Sequence, residues 1–148
     1  GLSDEDIEIK VDKTVVYVSL SDKMLYRPGS SNLTPQAKAV LAKIAKIIAA
    51  NPELDVMVEG HTDNQPVSRS CIKDNWDLSV KRATSVIRVL QKDYGVNPNN
   101  LIAAGRGEYN ASASNDTKEG RATNRKTKII ILPKLNQFYD LLIPAKAN

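Results

Sequence analysis

A strand-like segment, Leu54 to Glu59, stands between two stretches whose apolar residues recur at helical spacing. That alternation confines the chain to helices packed on a sheet. In the first stretch Thr34 is placed to cap and Pro35 suits the first helical position. Ala37, Val40, Leu41, Ile44, Ile47 and Ile48 draw its apolar face, Lys38, Lys43 and Lys46 can face water, and Asn51-Pro52 ends it. The second stretch starts at Asp74 or Asn75. Trp76, Val80, Ala83, Ile87, Leu90 and Tyr94 form one apolar stripe, and Gly95 suits a left-handed cap.

Strand patterns flank these helices. Ile7, Ile9 and Val11 alternate with Glu8 and Lys10, and Asp12-Lys13 can turn into a second strand, Thr14 to Leu20, rich in β-branched residues. Met24 to Ser31, with Pro28-Gly29, reads as a loop, as do residues 60–74 and the long, weakly apolar stretch 105–124. Leu101 to Ala104 is a short strand, and Thr127 to Leu132 is a further strand closed by Pro133. Leu135, Phe138, Tyr139, Leu141 and Leu142 suggest a final short helix that packs back on the body. The expected class is α+β: a two-layer βαβαββ sandwich, both helices on one face of a mixed sheet, with an extra N-terminal strand and a C-terminal helix. Residues 1–13 form an extension, 14–132 the domain and 133–148 a tail. The loops after Leu20 and Glu59 should then open at one edge of the sheet, where α/β-type sites collect.

The length of 148 residues suits one domain with a true core. The net charge of +4 permits an anionic partner, but the lysines are spread as on a solvated surface. One phenylalanine, one tryptophan and five tyrosines argue against a base-stacking platform. Cys71 is the sole cysteine, so no intrachain disulfide forms, and no nucleophilic setting surrounds it. No apolar run reaches membrane-spanning length. Gly1 is not a natural start, so the chain reads as a mature or excised fragment, and missing targeting signals do not locate it.

Chemistry gathers at Glu59-Gly60-His61-Thr62-Asp63-Asn64 and at the helix from Asn75 through Leu78 and Ser79 to Arg82 and Ala83. Asp63 lies just past a strand end and Arg82 lies early on the next helix. A fold that returns the helix beside the strand brings both into one cleft. Such a pair suits a zwitterion, the carboxylate taking an ammonium and the guanidinium a carboxylate. Taken singly, Asp63 can cap a turn and Arg82 can pair with Asp77 or Asp93. His61, the only histidine, lacks the companions that zinc requires and is expected to bond the loop backbone. Gly105-Arg106-Gly107-Glu108 lacks a full dinucleotide fingerprint and reads as a sharp bend. The basic run Gly120 to Lys126 can attract phosphate; alternatively Asn124 and Arg125 brace the loop through hydrogen bonds.

Taken in order, Gly60-His61-Thr62-Asp63, the Asn75-x-x-Leu78-Ser79-x-x-Arg82-Ala83 stretch, Gly105-x-Gly107-Glu108 and the run Asn115 to Lys126 resemble the motifs of the OmpA-like C-terminal domain family. Leu25-Tyr26 with Gly29-Ser30-Ser31 and Leu33 also matches that family's first turn, and the resemblance covers residues 14–132. It implies non-catalytic binding of peptidoglycan through the diaminopimelate of the stem peptide. It places the decisive contacts on Asp63 and Arg82. Backbone N–H groups near Gly29, Ser30, Thr62 and Asn64 would share the remaining ligand oxygens, and Leu78 would pack under its methylenes. Asn75 and Asn124 would fix loop shape, and Arg125 would contact either the ligand or its neighbour Asp63.

Three departures from the family pattern stand out. Arg27 occupies a position often acidic, Lys126 replaces a second arginine, and the long 64–74 loop, with Asn64-Gln65-Pro66-Val67, is more similar to the flagellar-stator subgroup. The resemblance implies a periplasmic module that anchors a membrane-attached parent, at the outer membrane, to the wall, with no cofactor, no metal and no nucleic-acid partner. Three rivals remain: a wall hydrolase, for which nucleophile–base partners are lacking; a protein-interaction or dimerisation module of a stator or envelope complex, in which the Trp76 stripe or the tail meets a partner; and a binder of anionic polymer.

Overall fold

The computed structural model describes residues 7–12, 15–27 and 32–133. Five strands form one mixed sheet in the order β1-β2-β5-β3-β4, with β1 Ile7–Asp12, β2 Val15–Ser21, β3 Leu54–His61, β4 Leu101–Gly105 and β5 Lys126–Pro133. Strand β5 runs antiparallel to both β2 and β3, whereas β3 and β4 are parallel, as a helical crossover requires. The expected sandwich is present. Tail residues 134–148, and with them the expected final helix, lie outside the described residues, as do Gly29 and Ser30.

Helix α1 (Asp22–Leu25) follows β2, α2 (Pro35–Ala50) precedes β3, α3 (Asn75–Lys92) joins β3 to β4, and α4 (Lys118–Asn124) precedes β5. Thr34 caps α2 by accepting from the Ala37 N–H at 3.1 Å, and Asp74 caps α3 by accepting from the Asp77 N–H at 3.1 Å. At the far end of α3, Gly95 takes φ 69°, the left-handed turn expected there.

Register sets which residues meet the helices. Val18, Ile129 and Val58 lie opposite one another across β2, β5 and β3, and Ile131 and Val56 form the next row, whose β2 end, Val16, stays exposed. Leu41, Ile44 and Ile48 of α2 and Ala83, Val86 and Leu90 of α3 close over these rows, and all six are buried. Burying a Leu or Val side chain contributes about 1.5–3 kcal/mol, so this layer supplies the main driving force.

Two glycines seat α3. Gly60 and Gly105 are partners on adjacent strands. A Cβ on Gly60 would lie 2.1 Å from the Ser79 carbonyl oxygen, and one on Gly105 would lie 2.5 Å from Ser79 Oγ. The helix therefore rests on bare backbone at the strand ends. Gly105 serves this close approach; the bend expected in its segment falls at Gly107, with φ 59°.

Several expectations need correction. Trp76 and Val80 are exposed, because the buried stripe of α3 runs through Asn75, Ser79, Ala83, Val86 and Leu90, one residue out of phase with the expected start. Ile47 is likewise exposed, and Ala45 takes the inward position on α2. Residues 22–25 form a helical turn where the Met24–Ser31 loop was expected to begin. The 105–124 loop contains α4, whose cap is Thr117 Oγ1 accepting from the Gly120 N–H at 2.9 Å.

Candidate functional site

The end of β3, the start of α3 and the short α1 surround a cavity of about 190 Å³. Its walls include Asp22, His61, Thr62, Asp63, Leu78, Arg82 and Arg125. Asp63 and Arg82 thus face one hollow, as their motif positions require. They are not paired with each other. Arg125 Nη1 donates to Asp63 Oδ2 at 2.6 Å, and Arg82 Nη1 donates to Asp22 Oδ2 at 2.5 Å. The cavity is therefore lined by two cations and two carboxylates in alternating partnership.

Asp63 is held by its own loop. Its Oδ1 accepts from the Gln65 N–H at 2.9 Å, an Asx turn. Asn75, buried at the first turn of α3, donates Nδ2 to the carbonyls of Asp63 and Gln65 at 3.2 and 3.1 Å. The start of α3 and the 63–65 turn are thereby joined. Leu78 lines the cavity and is half-buried.

Asp22 is the residue that the sequence reading missed. Arg82 pairs with it and not with Asp77 or Asp93. The Asp22 N–H donates to the Arg125 carbonyl at 3.1 Å, which ties α1 to the start of β5. Its Oδ1 is buried and makes no hydrogen bond. Burial pushes the Asp22 carboxyl above its usual range, against the pull of Arg82 and Arg125. A local signal existed: Ser21 caps the turn by accepting from the Met24 N–H at 3.2 Å, and an acid follows it in the first turn. Tyr26, at the end of that turn, lies 5.6 Å beneath the Arg82 guanidinium, and burial raises its phenol.

The remaining candidates divide. The Thr62 N–H donates to the Gly107 carbonyl at 2.9 Å, so it holds the bend and not a ligand oxygen. Asn64 is exposed and is not part of the cavity wall. Asn124 also lies outside the wall. Its Oδ1 accepts from the N–H groups of Ser112 and Ala113 at 2.9 Å, while its Nδ2 donates to the Ala113 carbonyl and Asn115 Oδ1 at 2.9 Å. Buried and fully bonded, it pins the 112–115 segment. Arg125, the next residue, reaches the cavity through Asp63.

His61 lines the cavity but does not bond the loop backbone through its Nε2, as had been expected. That nitrogen lies 2.7 Å from Glu59 Oε1. Glu59 Oε2 in turn lies 3.5 Å from Arg106 Nε. The hydrogen bond from His61, more than its charge or that of Arg106, holds the Glu59 carboxyl below its usual range, against burial. Lys126 Nζ donates to Ser112 Oγ, so this cation is engaged with the same pinned segment.

The OmpA family model matches residues 25–125. Motility protein B of Bacillus subtilis is 30% identical over 131 residues, which is 88% of this chain and 50% of that protein. The chain thus spans about half the length of that relative. The crystal structure of the periplasmic domain of Helicobacter pylori MotB superposes with a TM-score of 0.77 at 27% identity, covering 92% of this chain and 87% of the other. The structure of the cell wall anchor of the T6SS from Pseudomonas aeruginosa superposes with a TM-score of 0.74 at 26% identity, covering 88% of this chain and 90% of the other.

Proposed function

The chain belongs to the OmpA family, and from that premise we propose that it is a periplasmic, non-catalytic module that grips the diaminopimelate of a peptidoglycan stem peptide. It would hold a membrane-attached parent to the wall. The observation that carries this reading is the convergence of Asp63 and Arg82 on one cavity, each with bonding capacity to spare.

A guanidinium has five N–H donors, and Asp22 engages Arg82 at Nη1. The others remain for a ligand carboxylate. Each carboxylate oxygen accepts about two hydrogen bonds, so Asp63 can take an ammonium while still holding Gln65 and Arg125. Diaminopimelate presents an α-ammonium beside an α-carboxylate, and its methylene chain matches Leu78. Because both charged partners are already fixed by neighbours, little side-chain entropy is lost on binding.

The contact is small, so the affinity for a single stem should be modest. Retention would come from many copies facing a polymeric wall. Pulldown on purified sacculi tests the reading. Asp63→Ala and Arg82→Ala should each abolish retention while circular dichroism shows the fold intact. Retention equal to that of the unaltered protein in both variants defeats the assignment.

A further inference from the structure

The described residues carry one aromatic pair, and the cavity does not use it. Trp76 and Tyr109 pack with ring centroids 5.0 Å apart and planes inclined by 33°. Both remain open to solvent, at 49% and 66% exposure. Burying such rings is the usual source of their stabilisation, so a pair left this open contributes less to the fold than its area allows. It is nonetheless held in place. A Cβ on Gly107 would lie 3.2 Å from Tyr109 Cδ2 and 3.4 Å from Trp76 Cδ2, so the bend passes directly beneath the rings. The Gly107 N–H donates to Ser79 Oγ at 2.9 Å, and the Gly107 carbonyl accepts from the Thr62 N–H at 2.9 Å. The bend that supports the rings is thus bonded both to α3 and to the strand end that carries Asp63.

We infer that Trp76 and Tyr109 form a stacking surface for a sugar ring of the glycan strand whose stem peptide enters the Asp63–Arg82 cavity. The inference rests on the stem-peptide reading and extends it to the sugar. Trp76 is next in sequence to Asn75, which lines the cavity, and the bend beneath the rings is bonded to Thr62 of the cavity wall. A stem peptide is covalently fixed to a sugar, and a few residues of extended chain span at most about 10 Å. A sugar must therefore lie near any bound stem. A pyranose offers a face of C–H groups to the electron-rich face of an aromatic ring, and its rim of hydroxyls needs polar neighbours. Asp77 and Asn110, each one residue beyond a ring in sequence, are exposed, as is Arg106. A protein partner fits less well, since a stable interface buries about 800 Å² per side. Val80 is the exposed apolar neighbour along the helix, and exposed Ile102 belongs to the other face of the sheet.

Trp76 is the only tryptophan, so its emission reports on this surface alone. The test titrates the whole domain with a diaminopimelate stem peptide free of sugar, with the same peptide on its disaccharide, and with glycan fragments free of peptide. The disaccharide form should bind roughly 3- to 10-fold tighter than the bare peptide and should be the one of the two that shifts the emission. Tyr109→Ala, which leaves α3 untouched, should remove that gain and leave the bare peptide's affinity unchanged. Trp76→Ala, followed by calorimetry, should do the same. Equal affinities for the two peptides overturn the inference, as do variants that weaken both ligands alike. So does a concentration-dependent dimer that Tyr109→Ala dissolves. If the bare peptide fails to bind while glycan fragments still shift Trp76 emission, the stem-peptide reading falls and the sugar contact stands.

Discussion

Arg82 and Asp22, sixty residues apart in sequence, meet at 2.5 Å beside the cavity. The pair fixes the guanidinium over Tyr26 and leaves Asp22 Oδ1 buried without a partner. Asp22→Asn should free the guanidinium and weaken diaminopimelate binding by roughly 10-fold, on the scale of one charge-assisted hydrogen bond. Titration calorimetry of the variant checks this, and unchanged affinity would show that Arg82 needs no such support.

The same residue makes a prediction about acid. The folded carboxyl of Asp22 titrates above its ordinary value of 3.8, so the folded state binds its proton more readily than the unfolded chain does. Its ionised form opposes folding above the raised value. That cost is relieved as pH falls through the raised value and is gone below 3.8. Relative to Asp22→Asn, the unaltered protein should therefore gain stability between pH 7 and pH 4. Urea unfolding of both proteins at the two pH values measures the difference, and a constant gap would contradict the assignment.

Glu59 behaves in the opposite sense. Its folded carboxyl titrates below its ordinary value of 4.5, chiefly through the hydrogen bond from His61. The stability it contributes is fully present above 4.5 and is lost as pH falls through the folded value. Glu59→Gln should be less stable than the unaltered protein at pH 7, and the gap should close in acid. A gap that widened in acid would mean that the carboxylate is not the group His61 stabilises.

Gly60 carries the approach of α3 to the sheet. Gly60→Ala would drive a methyl group against the Ser79 carbonyl, where neither backbone can yield cheaply. The expected loss is about 1–3 kcal/mol or more, with a parallel loss of binding because Asn75, Leu78 and Arg82 ride on the same helix. Denaturant midpoints and ligand titration together check this. A variant with native stability would show that the helix does not rest on the strand.

The Asn124 side chain makes its prediction away from the cavity. Asn124→Ala should cost roughly 1–3 kcal/mol, since it removes three hydrogen bonds that the buried Asn124 amide makes to the backbone of residues 112 and 113. Amide exchange at Ser112 and Ala113 should accelerate, and unchanged exchange would place their protection elsewhere.

The contrast between Asp63 and Asp22 explains what the sequence can disclose. Asp63 is legible because it follows an apolar strand within a dense local motif, and Arg82 because it sits at a fixed step along an amphipathic helix. The Ser21 cap marks Asp22 locally as a first-turn acid, but its partnership with Arg82, sixty positions away, is a tertiary contact that the local pattern does not encode. The five strands and both long helices follow from β-branched runs and helical periodicity, because those patterns are what the core rows bury. Helix α4 escapes that reading because seven largely polar residues have no apolar period; its Thr117 cap and the Asn124 bonds hold it instead. Trp76 misleads for a related reason. Its large apolar ring suggests the buried face, yet Asn75 and Ser79 take that face, where Ser79 meets bare glycine backbone.

The most direct measurement is an NMR titration of the domain with a stem peptide carrying diaminopimelate and, separately, with the same peptide carrying lysine in its place, whose free side-chain ammonium has no carboxylate beside it. Shifts at Asp63, Leu78 and Arg82 that saturate with diaminopimelate and are absent or at least about 10-fold weaker with lysine are the result expected from a carboxylate held by the guanidinium. Equal responses to both peptides, or shifts confined to residues outside the cavity, would contradict it.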